Sequence, residues 1–144
     1  MTDRLRLDGV RVLIVDDAPF VRDVVTDILQ QDGAVVTAVE TAEKALEILQ
    51  RERPTVLLSD LSMPGKGGYW LIGQVRALPP ERGGATPAAA FTAYSSPAHR
   101  AGVLRAGFQL HVGKPVGIRE LVDVVATLAG TQVPRGVDAA SSTR

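Results

Sequence analysis

The stretch Val10-Arg11-Val12-Leu13-Ile14-Val15-Asp16-Asp17 decides the reading of this chain. Val12 to Val15 are apolar without a break, so they suit a short strand covered on both faces rather than one wetted on one side. The run is far too short to span a bilayer. Two adjacent carboxylates, Asp16 and Asp17, then end it. In an open parallel α/β sheet, ligands bind just beyond the carboxyl ends of the strands.

The same alternation continues along the chain. Val10–Val15, Ala34–Val39, Thr55–Ser59, Ala88–Thr92 and Gln109–Val112 read as five strands. Between them lie helical patterns: Phe20, Val21, Val24, Val25, Ile28 and Leu29 share one face, and Ala42, Ala45, Leu46 and Leu49 share another. Thr41 is a candidate N-cap, Ser96-Pro97 a cap with a first-turn proline, and Gly33 and Gly107 candidate stops. Trp70, Leu71 and Val75 mark a third helix, and Ile118, Leu121, Val122, Val125 and Leu128 a fifth. Strand–helix repetition five times over predicts a parallel sheet with helices on both faces. Leu78–Pro87, rich in Pro and Gly, reads as a long surface loop. Residues 8–130 read as one domain, and 131–144 as a flexible C-terminal tail or linker remnant.

Composition narrows the function classes. The chain has 144 residues, enough for one domain with a real core. Its 16 acidic and 16 basic residues balance, so no net field draws it to nucleic acid or to an anionic membrane. With no cysteine, disulfide and thiolate-metal chemistry are excluded. The N-terminus carries no signal-peptide pattern, and a cytoplasmic location is the expectation.

Polar residues cluster at the strand ends: Asp16 and Asp17 after the first, Asp60 after the third, Thr92 at the fourth, Lys114 after the fifth. Three carboxylates gathered there would raise one another's pKa unless a cation compensates. A hard divalent ion such as Mg²⁺ suits an all-oxygen set, and Lys114 adds a mobile positive charge for a phosphoryl oxygen. Such a set can hold a phosphoryl group on a carboxylate nucleophile.

On the residues Leu13-Ile14-Val15-Asp16-Asp17, Ser59-Asp60-Leu61-Ser62-Met63-Pro64 with Gly68, Phe91-Thr92-Ala93 and Lys114-Pro115, the chain resembles the receiver domains of two-component response regulators and hybrid sensor kinases. The resemblance runs from about Val10 to Leu128. It implies a flavodoxin-like, doubly wound five-stranded parallel sheet of order 2-1-3-4-5 with five flanking helices. It implies Asp60 as phosphoacceptor, and Asp16, Asp17, Asp60 and the Ser62 backbone carbonyl as ligands of Mg²⁺ or Mn²⁺. Thr92 and Lys114 would stabilise the phosphoryl group, and the Lys114–Pro115 peptide would be cis. The implied function is a phosphorelay switch, not an enzyme beyond self-catalysed phosphoryl transfer and slow self-dephosphorylation. A sensor histidine kinase or phosphotransfer protein would load it. Phosphorylation would alter the face formed by the fourth helix, fifth strand and fifth helix, where an unidentified downstream protein binds. No nucleic-acid or membrane partner is expected of this chain alone, and a homodimer stays open. Where the family usually has Tyr or Phe three residues before the lysine, this chain has His111, the expected site of the aromatic switch.

Two alternatives compete. Haloacid-dehalogenase-like phosphatases show Asp-x-Asp after the first strand, but Ala18 stands here in place of the second Asp. A pseudo-receiver would lack an acid, the Thr or the Lys, and all are present. Plain structural roles are expected for His99, as a solvent-facing helix residue, and for Tyr69, Trp70 and Met63, as packing. Gly65, Gly67 and Gly68 match no phosphate-cradle pattern and read as turn residues. Tyr94 falls near the expected mouth of the site.

Overall fold

A computed structural model describes residues 6–93, 96–114 and 117–130. Five strands, β1 (Arg11–Val15), β2 (Val35–Val39), β3 (Val56–Asp60), β4 (Ala88–Thr92) and β5 (Leu110–Gly113), pair in parallel in the order β2-β1-β3-β4-β5. Five helices alternate with them: α1 (Pro19–Gln31), α2 (Ala42–Glu52), α3 (Gly68–Arg76), α4 (Pro97–Ala106) and α5 (Ile118–Gly130).

Side chains alternate across the sheet with a period of two, and this explains the unbroken apolar runs. Val12, Ile14, Val56, Leu58, Ala89 and Phe91 face one side, where Val25 and Leu29 of α1 and Leu121, Val125 and Leu128 of α5 cover them. Leu13, Val15, Leu57, Ala88 and Ala90 face the other, against Ala45 and Leu49 of α2, Leu71, Ile72 and Val75 of α3, and Val103 of α4. Both layers are apolar, so β1, β3 and β4 tolerate no polar alternation. Leu7 completes the first layer, fully buried with its N–H donating to Asp32 O at 2.8 Å.

Local signals end the helices. Thr41 Oγ1 accepts from Lys44 N at 3.2 Å and opens α2. Ser96 Oγ accepts from His99 N at 3.1 Å and opens α4, with Pro97 as its first residue. Gly33 and Gly107 take φ of +100° and +127° after α1 and α4, where a side chain would be strained.

The Leu78–Pro87 segment is more ordered than a surface loop. Pro80–Arg82 forms a 3₁₀ turn, and Thr86 is buried with its hydroxyl donating to Gly83 O at 2.8 Å. The half-buried Arg76 guanidinium holds the segment by donating to Gly84 O at 2.9 Å and Thr86 O at 2.7 Å. It also reaches Gly107 O at 2.9 Å and Gln109 Oε1 at 3.1 Å, tying the end of α3 to the approaches to β4 and β5. No helix among the described residues is long and apolar enough to cross a membrane.

Candidate functional site: an acidic cluster at the carboxyl edge of the sheet

β1 and β3 are neighbours in register, Val15 beside Ser59, so the residues that end them emerge side by side. One carboxylate oxygen from each of Asp16, Asp17 and Asp60 lies within 4.8 Å of the others. Asp16 is fully buried. Its backbone N–H donates to Val39 O at 3.2 Å, and its Oδ1 accepts from Ala18 N at 2.9 Å, which turns the chain into α1. Arg22, one turn into α1, donates to the Asp16 carbonyl at 2.7 Å. Asp17 is exposed at the rim.

Asp60 is the last residue of β3 rather than the first after it, and 5% of it is exposed. Its Oδ1 accepts from Ser62 N at 3.4 Å. The backbone turns tightly here, Gly68 N donating to Leu61 O at 3.1 Å. A Cβ on Gly68 would stand 2.5 Å from Asp60 O, so the start of α3 can come this close only as glycine. Gly65, at φ +74°, makes the preceding turn.

Lys114 follows β5 and is anchored by its own N–H, which donates to Thr92 O at 2.9 Å. Its ammonium group donates to Asp60 Oδ1 at 3.2 Å and Asp16 Oδ2 at 3.4 Å. Burial and then the Asp16 carboxylate push the Asp60 pKa above its ordinary 3.8; Lys114 and the Ser62 N–H oppose this without cancelling it. Burial would lower the Lys114 pKa, but Asp16 and Asp60 together outweigh it and raise it above the ordinary 10.5. One ammonium group thus pairs with two of the three clustered carboxylates, and an all-oxygen set with surplus negative charge fits a hard divalent cation.

Thr92 ends β4 and is buried at 5% exposure. Its hydroxyl lies 3.2 Å from His99 Nε2 on α4. The expectation that His99 faces solvent is therefore corrected: the first turn of α4 lies over the end of β4 and turns this ring inward. His111, on β5, is half-buried and meets the His99 ring edge to face, with centroids 6.0 Å apart and planes at 77°. Ser62 is exposed, Met63 packs against the core, and Trp70 carries the Lys66 ammonium 5.3 Å from its ring centre. Tyr94 and Pro115 lie outside the described residues, and with Pro115 the expected cis peptide.

A doubly wound parallel sheet of order 2-1-3-4-5 defines the flavodoxin-like class of α/β domains, and in this chain an acidic cluster occupies its β1/β3 switch point. Within that class the chain belongs to the response regulator receiver domain family, whose profile matches residues 12–126. It is 44% identical over 114 residues to an uncharacterised 14.6 kDa protein of Leptolyngbya boryana, covering 79% of this chain and 86% of that one. It is 35% identical over 124 residues to the response regulator protein FleR of Pseudomonas aeruginosa, covering 86% of this chain but only 25% of FleR. Among solved structures it is similar to the receiver domain of the sensor histidine kinase PA1611 from Pseudomonas aeruginosa PAO1. That likeness has a TM-score of 0.77 and 30% identity over 85% of this chain and 98% of the other, which holds a magnesium ion in its active site cleft. The chain is a receiver module of two-component signalling.

Proposed function

We propose that Asp60 is the phosphoacceptor of a phosphorelay switch, loaded from the phosphohistidine of a sensor kinase or phosphotransfer protein. The observation that carries this reading is the Lys114 ammonium group shared between Asp60 and Asp16, with the Asp17 carboxylate in the same cluster. An Asp60 carboxylate oxygen attacks phosphorus as the P–N bond to the donor imidazole breaks, and the imidazole leaves with the electron pair. Lys114 pairs with a phosphoryl oxygen as charge shifts onto it. Asp16, Asp17, Asp60 and the Ser62 carbonyl would hold Mg²⁺ or Mn²⁺, which when bound supplies positive charge beside the phosphoryl oxygens. The Thr92 hydroxyl moves toward the phosphoryl group, and hydrolysis of the acyl phosphate resets the switch.

In this reading residues 8–130 form the working unit, and turnover of external substrates is not its role. The protein acts in the cytoplasm, and the face formed by α4, β5 and α5 meets the downstream partner. Incubation with Mg²⁺ and acetyl phosphate tests the assignment. One phosphoryl adduct per chain is expected by mass spectrometry in the wild type and none in Asp60→Asn. No adduct in either would leave an interaction module that never takes phosphate.

A further inference from the structure

Thr92 and His99 come from different elements, the end of β4 and the first turn of α4, yet their side chains lie within hydrogen-bond distance at 3.2 Å. The His99 backbone is held at the helix start, its N–H donating to Ser96 Oγ at 3.1 Å. Its ring meets that of His111, and His111 lines an open cleft of about 290 Å³ with Arg100, Leu104, Gln109 and Leu110. A continuous line of contacts thus joins the Thr92 hydroxyl, at the end of the strand next to β3, to the surface between α4 and β5.

We propose that His99 is the positioning residue that holds the Thr92 hydroxyl in the unphosphorylated state. Loss of that hydroxyl to the phosphoryl group breaks this contact, and the imidazole shifts against His111 and reshapes the α4–β5 cleft. The proposal rests on Asp60 as phosphoacceptor and adds the group that opposes the switch. The opposition follows for either tautomer. A neutral Nε2 accepts the one hydroxyl proton, which then cannot go to a phosphoryl oxygen. A protonated Nε2 donates to the hydroxyl oxygen and loses that partner when Thr92 moves. Either way one hydrogen bond must break, so the resting state is favoured by the worth of that bond. A ligand that draws Thr92 inward therefore binds tighter once the bond is gone.

Beryllofluoride with Mg²⁺, titrated into the full chain, is the probe. His99→Leu should bind it about fivefold more tightly than wild type, the worth of one neutral hydrogen bond. His99→Gln, whose amide can reach the same hydroxyl, should return to within about twofold of wild type. Equal or weaker binding by His99→Leu overturns the proposal. A second measurement needs no stable Leu variant. The chain has two histidines, so the imidazole signal missing from His99→Gln assigns His99 in the nitrogen NMR spectrum. In wild type that Nε2 signal should move when the probe binds, and a stationary signal in loaded protein overturns the proposal while Asp60 stands. Failure of wild type to bind the probe at all removes the Asp60 reading, and this one with it.

Discussion

Replacing Lys114 by methionine keeps an unbranched stem and removes the ammonium group 3.2 Å from Asp60 Oδ1 and 3.4 Å from Asp16 Oδ2. At an effective dielectric constant near 20, each pair carries about 5 kcal/mol of gross Coulomb attraction. The lysine side chain is 29% exposed, so desolvation and screening offset most of this. A net cost of about 2 kcal/mol to the metal-free fold remains. In a domain of this size that lowers Tm by about 6 °C. The effect on Mg²⁺ has the opposite sign. In the wild type a cation entering the cluster competes with the ammonium group for Asp16 and Asp60; in Lys114→Met it meets unneutralised carboxylates. Affinity for Mg²⁺ should therefore rise about tenfold, roughly 1.4 kcal/mol. Thermal melting without metal and calorimetric titration with Mg²⁺ read the two quantities separately. Simple loss of packing would lower both, so a variant that binds Mg²⁺ no better than wild type would refute the charge competition.

Other substitutions test neighbouring parts of the same picture. Because burial and Asp16 raise Asp60 above its ordinary 3.8, its ionisation destabilises the metal-free fold. That penalty is absent below the unfolded value and develops as pH rises through the folded one. Asp60→Asn should thus melt higher than wild type at pH 7, with the gap closing below about pH 4; a lower Tm at pH 7 contradicts the sign. Gly68→Ala sets a Cβ 2.5 Å from Asp60 O and 3.0 Å from Leu61 Cα. It should cost about 2 kcal/mol in urea unfolding and slow acetyl-phosphate labelling of Asp60, whereas unchanged labelling would mean the β3–α3 approach does not position the carboxylate. Arg76→Ala strips donors from Gly84 O, Thr86 O and Gly107 O and should cost about 3 kcal/mol, with Arg76→Lys recovering about half. Equal stability of the lysine variant and wild type would show that the forked geometry is not needed.

The alternation of strands and helices was legible in the residues alone, because a strand covered on both faces must be apolar at consecutive positions, as Val12 to Val15 and Val56 to Leu58 are. The same patterning put Asp16, Asp17, Asp60, Thr92 and Lys114 at strand ends. In a parallel sheet every strand ends at the same edge, and the strand order implied by the family resemblance makes β1 and β3 neighbours, which brings Asp16, Asp17 and Asp60 together there. Helix limits at Thr41, Ser96 and Gly107 were legible for a local reason, since the first two depend on one side chain and its nearest backbone and the third on the backbone freedom of a single glycine. Two other features come from packing between elements. Among its residues α4 buries Val103 alone, so no apolar stripe in the sequence tells which way His99 points. Its contact with Thr92 follows from the packing of α4 over the end of β4. Likewise Arg76 looks like an ordinary charged residue closing a helix until its neighbours are known. Its partners lie 8 to 33 residues further on, and they turn an expected loop into a braced segment. Both outcomes depend on contacts between elements distant in the chain, which local pattern does not encode.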